Sequence, residues 1–262
     1  MLATLPILAS CSLIPGLPNP TSTFEPRMEL PKLKGKTSRH SASGPNTPID
    51  VPSFGLGSTD EEFGGVFSYG NGFSSIDFGY MKFDMSTTQH RALPNDWGTL
   101  LKDDSVAGSL VMEEFRLRYI TEIWSQSFHD QEPLTLRLGV GGVLAHREMT
   151  FEAIESTGAR RDKVRAKDNG LPYLAMRAAV DYQGFSLCAN YALNPDLNFG
   201  AEFDGVQQDL ELIGRYVLED QDMILFFGYR RQNLSSSGHS GDFDFATDFV
   251  IDGFLLGFQI PF

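Results

Sequence analysis

His239, Ser240 and Asp242 bring a general base, a hydroxyl nucleophile and an acid together within four residues, the residue types that covalent acyl-transfer catalysis combines. Side chains that follow one another so closely on one chain point apart, so the segment reads as a solvated loop. His146, Arg147 and Glu148 form a second polar cluster, better suited to an interfacial rim or a lipopolysaccharide contact than to acid–base work. His40, His90 and His129 are scattered over separate segments without ligand spacing, and no metal or cofactor site is expected. The two cysteines, Cys11 and Cys188, exclude both a disulfide framework and a four-thiolate zinc site. Residue chemistry alone therefore points away from an enzyme.

The remaining ionic residues carry a different signal, a period of two. Glu114, Arg116, Arg118 and Glu122 alternate with Phe115, Leu117, Tyr119 and Ile123, which marks a strand with one apolar and one charged face. Seven other runs share the pattern. Ile76, Phe78 and Tyr80 oppose Asp77 and Gly79, and Leu134 to Leu144 oppose Arg137, Gly139 and Gly141. Leu174 to Tyr182 oppose Arg177 and Asp181, and Phe185 to Tyr191 oppose Ser186, Cys188 and Asn190. Leu210 to Leu218 oppose Asp209, Glu211 and Arg215, and Met223 to Tyr229 oppose Gly228 and Arg230. In the last run, Phe254, Leu256, Phe258, Ile260 and Phe262 oppose Gly253, Gly257 and Gln259.

Two environments produce such alternation: a soluble barrel or sandwich with a dry core, or a membrane barrel with lipid outside and a polar lumen. The polar face decides, because it is rich in Gly and Arg. Small residues relieve crowding inside a narrow barrel, and Arg116, Arg118, Arg137, Arg177, Arg215 and Arg230 can meet Glu114, Glu122, Asp181, Asp209 and Glu211 across it. Buried charges persist only when paired. Connection lengths agree: Gln183-Gly184 and Glu219 to Asp222 are tight and Ser125 to Pro133 is moderate, while 86–108, 148–170, 194–206 and 233–245 are long. Transmembrane barrels place short turns on the periplasmic side and long loops outside. Tyr182, Phe185, Tyr216 and Phe262 then mark an inner aromatic girdle, with Tyr191, Phe227 and Tyr229 toward the outer one.

Composition is compatible with this. The 262 residues include 21 Phe, 8 Tyr, 2 Trp and 26 Gly. A net charge of -13, from 21 Lys+Arg against 34 Asp+Glu, argues against nucleic acid as a partner. A mean hydropathy of -0.18, with no unbroken apolar run of about 20 residues, excludes a polytopic helical membrane protein.

At the N-terminus, Leu2 to Ala9 form a short apolar stretch ending Leu8-Ala9-Ser10-Cys11. It resembles a bacterial lipobox, which implies acylation of Cys11 after removal of a signal peptide over residues 1–11. Ser12 in place of Asp resembles the outer-membrane sorting rule of such lipoproteins. The lack of Lys or Arg before the apolar run points to a start upstream of Met1. Residues 12–62 hold eight prolines, from Pro15 to Pro52, and read as a flexible linker. Within it Arg27, Lys32, Lys34, Lys36 and Arg39 form a solvated basic run.

The closing residues, Gly253-Phe-Leu-Leu-Gly-Phe-Gln-Ile-Pro-Phe262, carry a family resemblance. A terminal Phe preceded by apolar residues at every second position resembles the C-terminal signal of bacterial outer-membrane barrels, which implies recognition by the barrel-assembly machinery. In strand count and loop pattern, residues 63–262 resemble the small eight-stranded barrels of the OmpA and OmpX type. The expectation is an all-β, antiparallel up-and-down transmembrane barrel of eight strands, or ten if residues 54–67 add a pair. It is expected in the outer membrane, in contact with its lipid and lipopolysaccharide. A structural or surface-recognition role is expected, the alternatives being a lipid-modifying enzyme and a narrow gated channel. An eight-stranded interior is filled by side chains, so a general pore is not expected.

Overall fold

Alternating side chains and the absence of helix signals lead to a structure made almost wholly of strands. The structure, a computed structural model, describes residues 21–41, 44–57, 61–71, 73–128, 134–168, 170–197, 205–218 and 223–262. Ten strands make the wall: β1 (Thr21–Ser41), β3 (Glu62–Gly70), β4 (Ser75–Ser86), β6 (Ser105–Phe128), β7 (Leu134–Glu155), β9 (Leu171–Tyr182), β10 (Phe185–Pro195), β11 (Val206–Leu218), β12 (Met223–Ser240) and β13 (Phe243–Pro261). Each pairs antiparallel with the next, and β1 closes the ring on β13 from Thr23↔Pro261 to Ser41↔Phe243. Three short strands, β2 (Ile49–Asp50), β5 (Arg91–Ala92) and β8 (Arg161–Lys167), add to β1, β6 and β7. Closure leaves the wall without an open edge.

The ring has ten strands, not eight. The two additions are β1 and β3, and β1 lies in the segment expected to be linker. Its alternation is regular, with Phe24, Met28 and Leu30 on one face and Glu25, Arg27 and Glu29 on the other. Two prolines conceal it. The β1–β13 ladder skips Glu25 and Pro26 between Phe24↔Ile260 and Arg27↔Gly257, where proline offers no N–H. Pro31 lies past Glu29↔Glu62, the last β1–β3 pair. In β3 only Gly65 interrupts the outward apolar row of Phe63, Phe67 and Tyr69, while Gly64 and Gly70 leave the inner face without a polar side chain at those positions. Residues 1–20, with the signal, the lipobox and Cys11, lie outside the described residues.

Both ends of the described chain meet at one rim, where the N–H of Phe262 donates to the carbonyl of Ser22 at 3.0 Å. The tight turn at Gln183-Gly184 shares that rim, which is the periplasmic one by the short-turn rule. At the opposite rim two of the four expected long loops are largely strand. The segment 233–245 is a continuous hairpin turning at Gly241-Asp242, and most of 148–170 belongs to β7 and β8, whereas 86–108 stays mostly irregular between β4 and β6.

These extra residues change the wall's length. A tilted strand crosses the hydrocarbon core in about 9–11 residues, yet β6 and β7 have 24 and 22. Along β6, Phe115, Leu117 and Tyr119 are exposed outward while Glu114 and Arg118 are buried inward. Earlier on the same strand the polarity of the two faces is reversed: Val106, Leu110 and Met112 are buried inside, and Ser109 and Glu113 face out. The same exchange occurs on β13, between Ile251 inside and Phe254 outside, and on β4, between Phe83 inside and Phe78 outside. The lower half is therefore a lipid-facing barrel, and the upper half is a water-facing one with its own apolar core.

The chain between the wall strands fills that upper half. Ile49, Val51, Phe54 and Leu56 enter from the segment after β1, and Leu93, Trp97 and Leu100 from the segment before β6. Phe54, Trp97 and Phe151 meet edge to face, with centroids 5.0–5.6 Å apart, a favoured aromatic geometry. Gly108 makes room: a Cβ there would stand 2.8 Å from Cβ of Phe54. Removing the Phe54 ring with Phe54→Ala is expected to destabilise the upper half by about 3–5 kcal/mol. Denaturant unfolding followed by near-ultraviolet dichroism checks this, and the membrane-embedded half should keep its heat-dependent gel mobility.

Candidate functional site

Below the apolar core the lumen is ionic. Glu114 on β6 is its hub, accepting from Arg116 at 2.7 Å, Arg147 at 2.5 Å and Arg230 at 2.8 Å, and from the Gln232 amide at 3.1 Å. Asp209 on β11 shares Arg116 and Arg230. Arg147 is only 1% exposed. It also donates to the Tyr173 hydroxyl and lies over the Tyr173 ring.

A second tier lies nearer the periplasmic rim. Arg27 bridges Glu25 at 2.7 Å and Glu211 at 2.5 Å. Arg118 joins Asp77 at 2.7 Å to Glu211 at 3.5 Å. Arg177 reaches Asp77 at 3.2 Å, Asn190 at 2.7 Å and the Phe73 carbonyl at 2.6 Å. Arg137 holds Asp181, and Arg215 reaches Glu25 at 3.3 Å.

Among the described residues eight arginines (27, 116, 118, 137, 147, 177, 215, 230) thus meet seven carboxylates (25, 29, 77, 114, 181, 209, 211). Most carboxylates are shared by two guanidinium groups, which offsets the desolvation that isolated buried ions would suffer. The voids around Glu114, Asp209 and Glu211 hold about 30 and 10 Å³, room for little more than single waters, whereas the second tier borders a larger cavity toward the periplasmic rim.

The sequence singles out Glu114, Arg116, Arg118, Arg137, Arg177, Asp181, Asp209, Glu211, Arg215 and Arg230, and the structure places all ten inside the barrel. Glu122 does not join them. It is exposed beside the register shift between Glu122 and Trp124, where the wall bulges at the rim. Glu25, Arg27, Glu29 and Arg147 belong to the lumen although their segments read as linker and rim. Arg39, also read as linker, is buried against Asp162 at 2.8 Å. The signal for the first three is Glu25-x-Arg27-x-Glu29, which repeats the spacing of Glu114-x-Arg116-x-Arg118. Phe254, Leu256, Phe258, Ile260 and Phe262 all face outward and are exposed, within the apolar belt.

Just above that belt the outer face turns polar. Lys34 pairs with Asp252 at 2.7 Å, and the Tyr229 hydroxyl donates to the same carboxylate at 3.0 Å. Lys32, Lys36 and Arg231 are exposed around them, with Asp50 and Asp248 beside Lys36, forming a mixed charged patch on β1, β12 and β13. At the outer tip, Arg160 joins Asp104 at 2.6 Å and Glu155 at 3.3 Å. Hydrogen bonds to these carboxylates keep its pKa above the ordinary arginine value.

The histidines do not assemble a triad. His239 pairs with Asp244 across the β12–β13 hairpin, and not with Ser240 or Asp242. His146 lies 3.1 Å from Asp168, and His90 contacts the nearby Thr88 carbonyl. His129 is outside the described residues. No group of three metal-ligating side chains occurs among the described residues.

Neutralising the hub should expose the cost of unbalanced burial. Glu114→Gln leaves Arg116, Arg147 and Arg230 short of a counter-ion and is expected to destabilise the barrel by about 3–5 kcal/mol. A lower temperature for the heat-dependent gel shift would register this.

No protein-family model matches the chain, and no curated protein is significantly similar to it. Among solved structures, the outer membrane protease OmpT of Escherichia coli superposes with a TM-score of 0.57 at 11% identity, covering 92% of this chain and 97% of its own. The toluene transporter TodX of Pseudomonas putida covers 96% of this chain and 91% of its own, with a TM-score of 0.30 at 8% identity. The likeness to OmpT is one of fold. The chain has the fold of bacterial outer-membrane β-barrels, and with an apolar belt of its own it resides in the outer membrane.

Proposed function

We propose that the protein is a closed outer-membrane barrel with a structural or surface-recognition role. The observation that carries this reading is a plug across the middle of the lumen: the ionic tier around Glu114, Arg116 and Asp209, with voids of only about 30 and 10 Å³, lies directly beneath an apolar core sealed by Phe54, Trp97 and Phe151. Ions would have to break several shared guanidinium–carboxylate contacts and then cross a dry core. The extended upper half offers a rigid water-facing surface of the kind on which recognition is built.

In this reading the cations Lys32, Lys34, Lys36 and Arg231 of the patch above the apolar belt would meet phosphates of lipopolysaccharide and help to fix the barrel's depth in the outer leaflet. The alternating C-terminus ending in Phe262 serves the barrel-assembly machinery during insertion, and acylation of Cys11 would add a lipid anchor.

OmpT is a protease, which keeps an enzymatic reading in view. In this chain it would draw on His239 and Asp244, an acid–base pair exposed at the outer hairpin. The structural reading expects planar bilayers containing the protein to show no conductance steps. It also expects lipid A of unchanged mass in a strain that overproduces it. Steps abolished by Glu114→Gln would establish a channel instead, and a change in lipid A mass lost in His239→Ala would establish an enzyme.

A further inference from the structure

Between the ionic tier and the periplasmic rim lies a cavity of about 560 Å³, lined at its mouth by Thr21, Gly184, Met223 and Pro261. That volume falls within the roughly 300–1,000 Å³ of small-molecule sites, and the barrel reading gives it no task. Its wall holds two incompletely used charges. Arg215 makes one ion pair among the described residues, at 3.3 Å to Glu25, a carboxylate already held by Arg27 at 2.7 Å. The Nε of Arg215 is buried and meets no acceptor among the described residues. Across the wall, Asp181 receives Arg137 through Nε at 2.6 Å and Nη2 at 2.5 Å, both on Oδ2, so that Oδ1 keeps its lone pairs.

The two are aligned. Asp181 on β9 pairs with Ser186 on β10, and Ser186 pairs with Arg215 on β11, so the three share one row of the inner face. Two strand spacings separate Arg215 from Asp181, roughly 10 Å. The cavity wall carries Arg118, Arg137, Arg177 and Arg215 interleaved with Glu25, Asp77 and Asp181, so it offers both signs of charge and not the purely cationic cradle that an anion such as phosphate would select. A ligand with both charges, set about 7–10 Å apart, fits both ends, and an extended peptide of two or three residues has that span at about 3.3–3.6 Å per residue.

The geometry points to a periplasmic binding site for a short zwitterionic peptide, its carboxylate on Arg215 and its ammonium group on Asp181, with Ser186 between them. Arg215 offers the planar fork that binds carboxylates in bidentate fashion. Apolar side chains of the peptide would lie against Val217, Met223 and Ile224 at the mouth.

Calorimetric titration of the full-length protein in nanodiscs with trialanine tests this directly. Saturable one-to-one binding is expected, weakened at least tenfold by amidation of the peptide's C-terminus and at least tenfold by Arg215→Gln. Ser186→Leu, which fills the cavity without altering charge, should abolish binding, and it decides the matter if Arg215→Gln fails to insert. Absence of saturable binding, or binding indifferent to amidation and to Ser186→Leu, would overturn the inference. Displacement of trialanine by an equal concentration of inorganic phosphate would also overturn it, in favour of a simple anion site.

Discussion

Ionic groups can stay in a narrow lumen only as a nearly neutral, mutually bonded set, and the rest of this structure depends on that constraint. Glu114 with Arg116, Arg147 and Arg230, and Glu211 with Arg27 and Arg118, tie β1, β6, β7, β11 and β12 together across the axis. These bonds link strands far apart in sequence, and β1, the strand that closes the ring, is held by Arg27 and Glu29 as much as by its ladder to β13. The outward faces of the same strands can then be wholly apolar, because the polar residues have been satisfied inside.

The second organising feature is the exchange of polarity at one level of the wall. Below it lipid is outside and the interior is ionic; above it water is outside and the interior is mainly apolar, with the Arg39–Asp162 pair enclosed in it. Strand alternation keeps its parity through the change, so one continuous β6 or β7 serves both environments. The upper half is stabilised in the manner of a soluble β-protein, by burying rings such as Phe54, Trp97, Phe151 and Phe249.

Much of the lower half is legible in the sequence, because strict alternation of Arg or Glu with Leu or Phe requires a strand whose two faces meet opposite environments. Eight wall strands and ten of the lumen charges follow from it. The upper half is not legible, for a physical reason. At residues such as 105–113 and 146–155 the apolar positions move to the inner face, so a pattern of apolar-outward strands stops there and the segments resemble loops. Strand β1 is hidden because Pro26 and Pro31 read as linker, although both sit where the ladder can spare an N–H. Strand β3 is hidden because Gly65 breaks its outward row and the inner face, with Gly64, Val66 and Gly70, carries little polar contrast. The alignment of Asp181 with Arg215 through Ser186 depends on register, which periodicity leaves open.

The exchange of polarity along one strand is the central claim, and site-directed spin labels on β6 test it most directly. Single cysteines at 111, 113, 115, 117 and 119, in a chain lacking Cys11 and Cys188 and reconstituted in bilayers, would report contact with water-soluble and lipid-soluble paramagnetic reagents. The account predicts that labels at 115, 117 and 119 respond to oxygen dissolved in lipid, and that those at 111 and 113 respond to the aqueous nickel chelate. Lipid accessibility at all five positions, or aqueous accessibility at 115–119, would contradict it.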